Sequence, residues 1–231
     1  MNWRGIPLCL VVVFAVGGSG GAAQAPAVNE TYVVAYVDVL PSQRGAMRAA
    51  LQRYRDASRQ EKGSLRIDTL EQRGRPGHFV VVERWVDQAA LDAHRLADHT
   101  TGFLEALQPI RVSGYDERPY TSLSTAPRSV AGSSETVYVV SHVDIGSAAG
   151  REIAPGLLRG LAEESGREPG SLGFHVLQHA MRANHFTVFE VWRDQSALDA
   201  HVAAAHTRAY RDTVQPISGS PVDERVYTAV E

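Results

Sequence analysis

The chain has 231 residues, 44% of them hydrophobic and 21% charged, with a formal net charge of −3. Such a composition supports one or two ordinary globular domains with a real core, and the charge gives no basic field of the kind that nucleic-acid binding requires. The single cysteine, Cys9, lies in a leader-like segment, so disulfides, thiolate chemistry and zinc–cysteine sites are excluded from the rest of the chain.

That leader comes first. Arg4 precedes the apolar run Ile6–Val16, and small residues follow to Ala25. This is the order of a secretory signal, and the run is too short to span a bilayer. Residues 1–25 are expected to be a signal peptide cut after Ala25 or, because Pro26 is unfavourable there, after Ala27. The alternative is an uncleaved anchor. The expected location is secreted or periplasmic, with no stable membrane insertion after cleavage.

A β-branched and aromatic stretch at Tyr32–Val39 predicts a strand. A helix is expected over Ser42–Glu61, where Met47, Leu51 and Tyr54 keep a helical spacing and Ser42 can cap. Leu65–Glu71 and His78–Trp85 should pair as a hairpin across the turn residues Arg73–Gly77. Asp87 is placed to cap a further helix, and a last strand ends at Tyr120-Thr121. Ser124–Glu135, rich in Ser, Ala, Gly and Pro, reads as a linker.

The pattern then repeats. Tyr138 stands over Tyr32, and "ERWVDQAALDAH" at Glu83–His94 returns as "EVWRDQSALDAH" at Glu190–His201. "DERPYT" at Asp116–Thr121 returns as "DERVYT" at Asp223–Thr228. The second copy of the first helix, near Ser147–Ser165, holds Pro155 and Gly156 and should be kinked or start late. The chain therefore divides into a leader at 1–25, a first domain at 30–123, the linker at 124–135 and a second domain at 136–231. Each domain has the order β-α-β-β-α-β, a ferredoxin-like α+β unit. Along His78–Trp85, Phe79, Val81, Glu83 and Trp85 alternate with Val80 and Val82, so both faces of that strand are largely apolar. The sheet needs a partner on its second face, and the other half of the chain is the candidate. The two repeats are expected to pair as an intramolecular dimeric α+β barrel, a pseudo-dimer that leaves room for higher oligomers.

The residues Phe79, Glu83, Trp85, Asp87, Ala90, Leu91, His94 and His99, repeated as Phe186, Glu190, Trp192, Asp194, Ala197, Leu198, His201 and His206, resemble the strand–helix signature of the antibiotic biosynthesis monooxygenase family, especially its quinol monooxygenase-like branch. The resemblance covers nearly all of the chain beyond the leader. It implies a pocket for a small molecule walled by Trp85 and Trp192, which otherwise read as core anchors. Phe79, Phe186, His94 and His201 complete the candidate lining.

Glu83 and Glu190, held among apolar neighbours, are candidate proton acceptors; the competing reading pairs them with Arg118 or Arg225. His94 and His99, like His201 and His206, lie roughly 140° apart on a continuous helix, so no metal site is expected. One of each pair can face the pocket as a base, and His99 and His206 are the expected ones. Tyr36 and His142 occupy equivalent strand positions and are the main chemical difference expected between the two pockets.

There is no G-x-S-x-G elbow, G-x-G-x-x-G fingerprint or Walker A loop. The resemblance has a departure too: polyketide-oxidising relatives place an Asn where this chain has Val81 and Val188. Haem-degrading relatives place an axial His near Leu104 or Arg211, which cannot ligate iron. The expected function is oxidation of a small aromatic or quinol-type substrate by O2 without a cofactor. The rival is a non-catalytic periplasmic protein that binds a small hydrophobic ligand, and one half could be purely structural.

Overall fold

The computed structural model describes residues 30–124 and 133–231. The leader and most of the linker therefore lie outside the described residues. The first half contains β1 (Thr31–Asp38), α1 (Arg44–Ser58), β2 (Ser64–Gln72), β3 (His78–Trp85), α2 (Gln88–Arg95), α3 (Asp98–Leu107) and β4 (Asp116–Ser122). The second contains β5 (Val137–Asp144), α4 (Ala148–Ser165), β6 (Ser171–His179), β7 (His185–Trp192), α5 (Gln195–Ala203), α6 (Ala205–Val214) and β8 (Asp223–Ala229).

The eight strands close into one barrel in the order β1-β3-β2-β8-β5-β7-β6-β4. Each half contributes four antiparallel neighbours. The joints are β2 with β8, where Leu70 faces Ala229, and β4 with β6, where Tyr120 faces His179. The expected pseudo-dimer is thus the barrel itself.

Alternation along the strands sorts the core into three layers. Tyr32, Val34, Val80 and Val82 point inward and meet Tyr138, Val140, Phe189 and Val191 of the other half inside the barrel. Val33, Val81 and Trp85 point outward under α1 and α3, with Met47, Leu51 and Tyr54. Val139, Val188 and Trp192 do the same under α4 and α6. Period-two alternation carries a sheet that is covered on both faces.

Two helix expectations are corrected. Ser42 makes no cap, because Pro41–Gln43 form a 3-10 turn before α1 starts at Arg44. The second-half helix does not start late: Ser147 Oγ accepts from Gly150 N, and α4 runs through Pro155 to Ser165. Asp87 and Asp194 cap α2 and α5 as expected, accepting from Ala90 N and Ala197 N at 2.8 Å.

The repeated glycine before β2 and β6 has a steric reason. Gly63 and Gly170 have φ of 91° and 94°, and a Cβ there would lie 2.6 and 2.7 Å from Ala90 Cβ and Ala197 Cβ. Gly170→Ala combines backbone strain with a clash against α5. It should destabilise the fold by roughly 1–3 kcal/mol, read as an earlier chemical-denaturation midpoint with an unchanged slope.

Candidate active site

The polar centre of each half starts from a helix break. α2 ends at Arg95 with Leu96 as its C-cap, and Ala97 is extended at φ −69° and ψ 143° before α3 begins; Ala204 does the same between α5 and α6 at φ −66° and ψ 147°. The sequence expectation of one continuous helix is therefore wrong, and with it the 140° separation of the histidines. The break folds His99 back toward His94, and both approach Glu61 Oε1, at 2.9 and 2.6 Å. His206 and His201 approach Glu168 Oε1 at 3.0 and 2.6 Å. In each trio the three donor atoms lie within 4.8 Å of one another, so two imidazoles and a carboxylate could hold a divalent cation. Glu61 and Glu168 sit in the turns after α1 and α4, where nothing in the strand–helix signature marks them.

The histidine that enters the pocket is also the other one. His201 is buried and lines a cavity in the second half, whereas His206 keeps a partly exposed side chain at Glu168. The Nδ1 contact to Glu168 leaves His201 Nε2 directed at Glu190 Oε2, 3.7 Å away. Trp192 Nε1 donates to the same carboxyl at 2.8 Å, and the Trp192 and His201 rings stack at 4.6 Å. Burial raises the Glu190 carboxyl to about 8, so it holds its proton at neutral pH. Burial lowers His201, with Glu168 pulling the other way.

The alternative pairing of these glutamates with arginines is overturned. Arg118 and Arg225 reach back to Asp116 and Asp223 on their own strands. Tyr36 and His142 are not in the cavity between sheet and helices. They sit on the inward face of β1 and β5, where Tyr36 Oη and His142 Nε2 meet at 2.6 Å across the two halves. His142 then contacts Thr187 Oγ1 at 2.9 Å, and burial lowers it to about 4. Phe79 and Phe186 are fully packed core residues.

The cavity has a volume of about 670 Å³, a size that suits a small organic ligand. Glu190 and His201 lie in its wall together with Ser141, Leu161, Val188 and Tyr210, and Ser220, Pro221 and Val222 belong to its loop side. Two of the wall hydroxyls, Ser141 Oγ and Tyr210 Oη, are buried without a hydrogen-bond partner. Buried orphans are rare in native proteins, and two facing one cavity point to a polar ligand. Sequence reasoning missed both. The signal was present in the repeat: Ser141 replaces Ala35, and Tyr210 replaces Phe103.

The first half has the same frame but is filled. His94 Nδ1 contacts Glu61 at 2.6 Å, Trp85 Nε1 donates to Glu83 Oε2 at 2.9 Å, and His94 Nε2 lies 3.7 Å from Glu83 Oε1. Burial raises Glu83 too. Between Glu83 and His94 stands the hydroxyl of Tyr54, which donates to Glu83 Oε1 and lies 2.7 Å from His94 Nε2. Tyr54 stacks on Phe103 at 4.4 Å, and Tyr115 closes edge-on against Phe103 at 5.8 Å.

The raised Glu190 has a thermodynamic consequence. Its folded-state value lies above the unfolded one, so it costs no stability at pH below the unfolded value and a growing amount as pH rises to about 8. Glu190→Gln keeps an acceptor for Trp192 and cannot ionise. Its melting temperature relative to the wild type should rise between about pH 5 and about pH 9, checked by parallel thermal melts.

Comparisons with known proteins follow the same geometry. The model of the family described as "Antibiotic biosynthesis monooxygenase" matches residues 31–106 and 151–213, more than half of the chain. "Putative monooxygenase YcnE" of Bacillus subtilis is 34% identical over 70 residues, spanning 30% of this chain and 74% of that protein. A solved "Putative monooxygenase" from Fusobacterium nucleatum superposes with a TM-score of 0.82 at 14% identity, over 89% of this chain and 94% of its own. An "anthrone oxidase-like protein" superposes at 0.65 and 13% identity, over 88% and 92%. At these identities the two solved structures share the fold.

Proposed function

Because this chain belongs to the antibiotic biosynthesis monooxygenase family, we propose that its second-half cavity binds a small electron-rich phenol or quinol and oxidises it with O2. The observation that carries the reading is the His201–Glu190 pair in the wall of a cavity with two unpartnered hydroxyls, with Glu168 behind the histidine.

Glu168 accepts from His201 Nδ1–H and so fixes the tautomer that leaves Nε2 free as a base. A substrate hydroxyl in the cavity gives its proton to Nε2, and neutral Glu190 donates a hydrogen bond to the oxygen that becomes anionic. The electron-rich anion attacks O2 through a ring carbon that bears hydrogen. The resulting hydroperoxide loses water, leaving a carbonyl at that carbon. One oxygen atom enters the product, the other leaves as water, and the substrate supplies all the electrons. Tyr210 Oη and Ser141 Oγ are placed to hold further oxygens of the substrate. The leader-like residues 1–25 support an exported enzyme, whose mature chain would begin at Pro26 or Val28.

Oxygen uptake by the purified protein with a panel of quinols and polyphenols tests the reading. His201→Ala should lower kcat by about 10²-fold or more, whereas ligand binding survives. The pH profile of kcat/KM should rise as His201 loses its proton and fall above about 8 as Glu190 ionises. Uptake by the wild type no faster than that of denatured protein across the panel would sink the enzymatic reading and favour simple ligand sequestration.

A further inference from the structure

Resting on the reading of the second-half cavity as a substrate site, we propose that Tyr54 is a built-in ligand of the first half, that it closes that half to substrate, and that its pose marks where a phenolic hydroxyl sits in the second.

The two receptors are alike whether filled or empty. The imidazole-to-carboxyl separation is 3.7 Å in each. The tryptophan donates at 2.9 Å in one and 2.8 Å in the other, and the histidine Nδ1 contacts its glutamate at 2.6 Å in both. The tryptophan and histidine ring centroids lie 4.5 and 4.6 Å apart. What differs is the occupant. Tyr54 projects from α1 with its hydroxyl between Glu83 and His94 and its ring on Phe103. The equivalent residue of α4 is Leu161, which lines the cavity and has no hydroxyl to offer the Glu190–His201 pair.

Further substitutions follow the same logic. Where the first half is filled, the wall residues are Ala35 and Phe103, with no hydroxyl to satisfy, and Tyr115 packs on Phe103. Where the second half is open, the same positions carry Ser141, Tyr210 and the smaller Val222. A phenol is thus already bound in this protein, covalently attached to α1. By the internal pseudo-symmetry, a free phenol in the second half puts its oxygen between Glu190 and His201 and its ring against Tyr210. The remaining volume extends toward Ser220, Pro221 and Val222 and leaves room for a larger ring system.

Binding stoichiometry without turnover tests this. Calorimetric titration of the full chain with 4-nitrophenol, and with hydroquinone under nitrogen, should give one site per chain for the wild type. Tyr54→Leu should add a second site. Leu161→Tyr, which copies the natural plug, should abolish binding or weaken it by at least about 100-fold. Melting curves identify which variants are folded, and either folded variant decides by itself. Three results overturn the proposal: no phenol binding by the wild type, a folded Tyr54→Leu with one site, or a folded Leu161→Tyr with wild-type affinity. If the stoichiometries change as described but no oxygen is consumed in air, the oxidation reading fails and the plug stands.

Discussion

Strands β1, β3, β5 and β7 are largely apolar on both sides, and that constraint organises the rest. Helices cover the outer face of each four-stranded sheet, which leaves Val34, Val80, Val82 and Tyr32 of the first and Val140, Phe189, Val191 and Tyr138 of the second to cover each other. Each sheet covers the other, since an open apolar face of this size would be an aggregation liability. Closure of the two sheets holds the outer faces rigid. On those faces Glu83 and Trp85, or Glu190 and Trp192, project side by side at a spacing of two residues. The strands supply the carboxyl and the tryptophan, the helices supply His201, Leu161 and Tyr210, and the turn after α4 supplies Glu168.

Burial then sets the chemistry. In the second half Glu190 and His201 are held together with little solvent, so burial favours the protonated carboxyl and the neutral imidazole. In water the two would form an ordinary ion pair. Here both are neutral at pH 7, a state in which one accepts a proton and the other donates a hydrogen bond to developing negative charge. The outer carboxylate, Glu168, touches the imidazole from the solvent side and selects which nitrogen faces inward.

The fold was legible because it rests on patterns with a short range. Alternation along His78–Trp85, the aspartate caps and the 107-residue echo of the strand–helix junction are all local signals, and the paired repeat supplied the missing sheet face. The site was half legible. The signature marked the glutamate, the tryptophan and two histidines, but their roles hinge on Ala97 and Ala204 leaving helical conformation. No residue with a strong breaking tendency announces that bend: the alanines favour helix, and the turn is imposed by packing. Glu61 and Glu168 lie outside any signature, and only tertiary contact brings them to the histidines. Pro155 did not delay the helix, since the Ser147 cap starts α4 at Ala148 and the helix runs on to Ser165.

The Tyr54 contact has a consequence for how the molecule responds to its surroundings. A tethered group has an effective concentration that no dilution changes, so the first half is saturated in every condition in which the chain is folded. Its contribution to stability is constant. On the proposed reading, the second half gains stability only when ligand is present, with the logarithm of its concentration once that exceeds the dissociation constant. On the proposed reading, two domains with one frame divide the work: one is a permanently loaded scaffold, and the other takes up ligand as it is supplied. A symmetric pair of separate chains could not do this, because one sequence would have to plug both sites or neither.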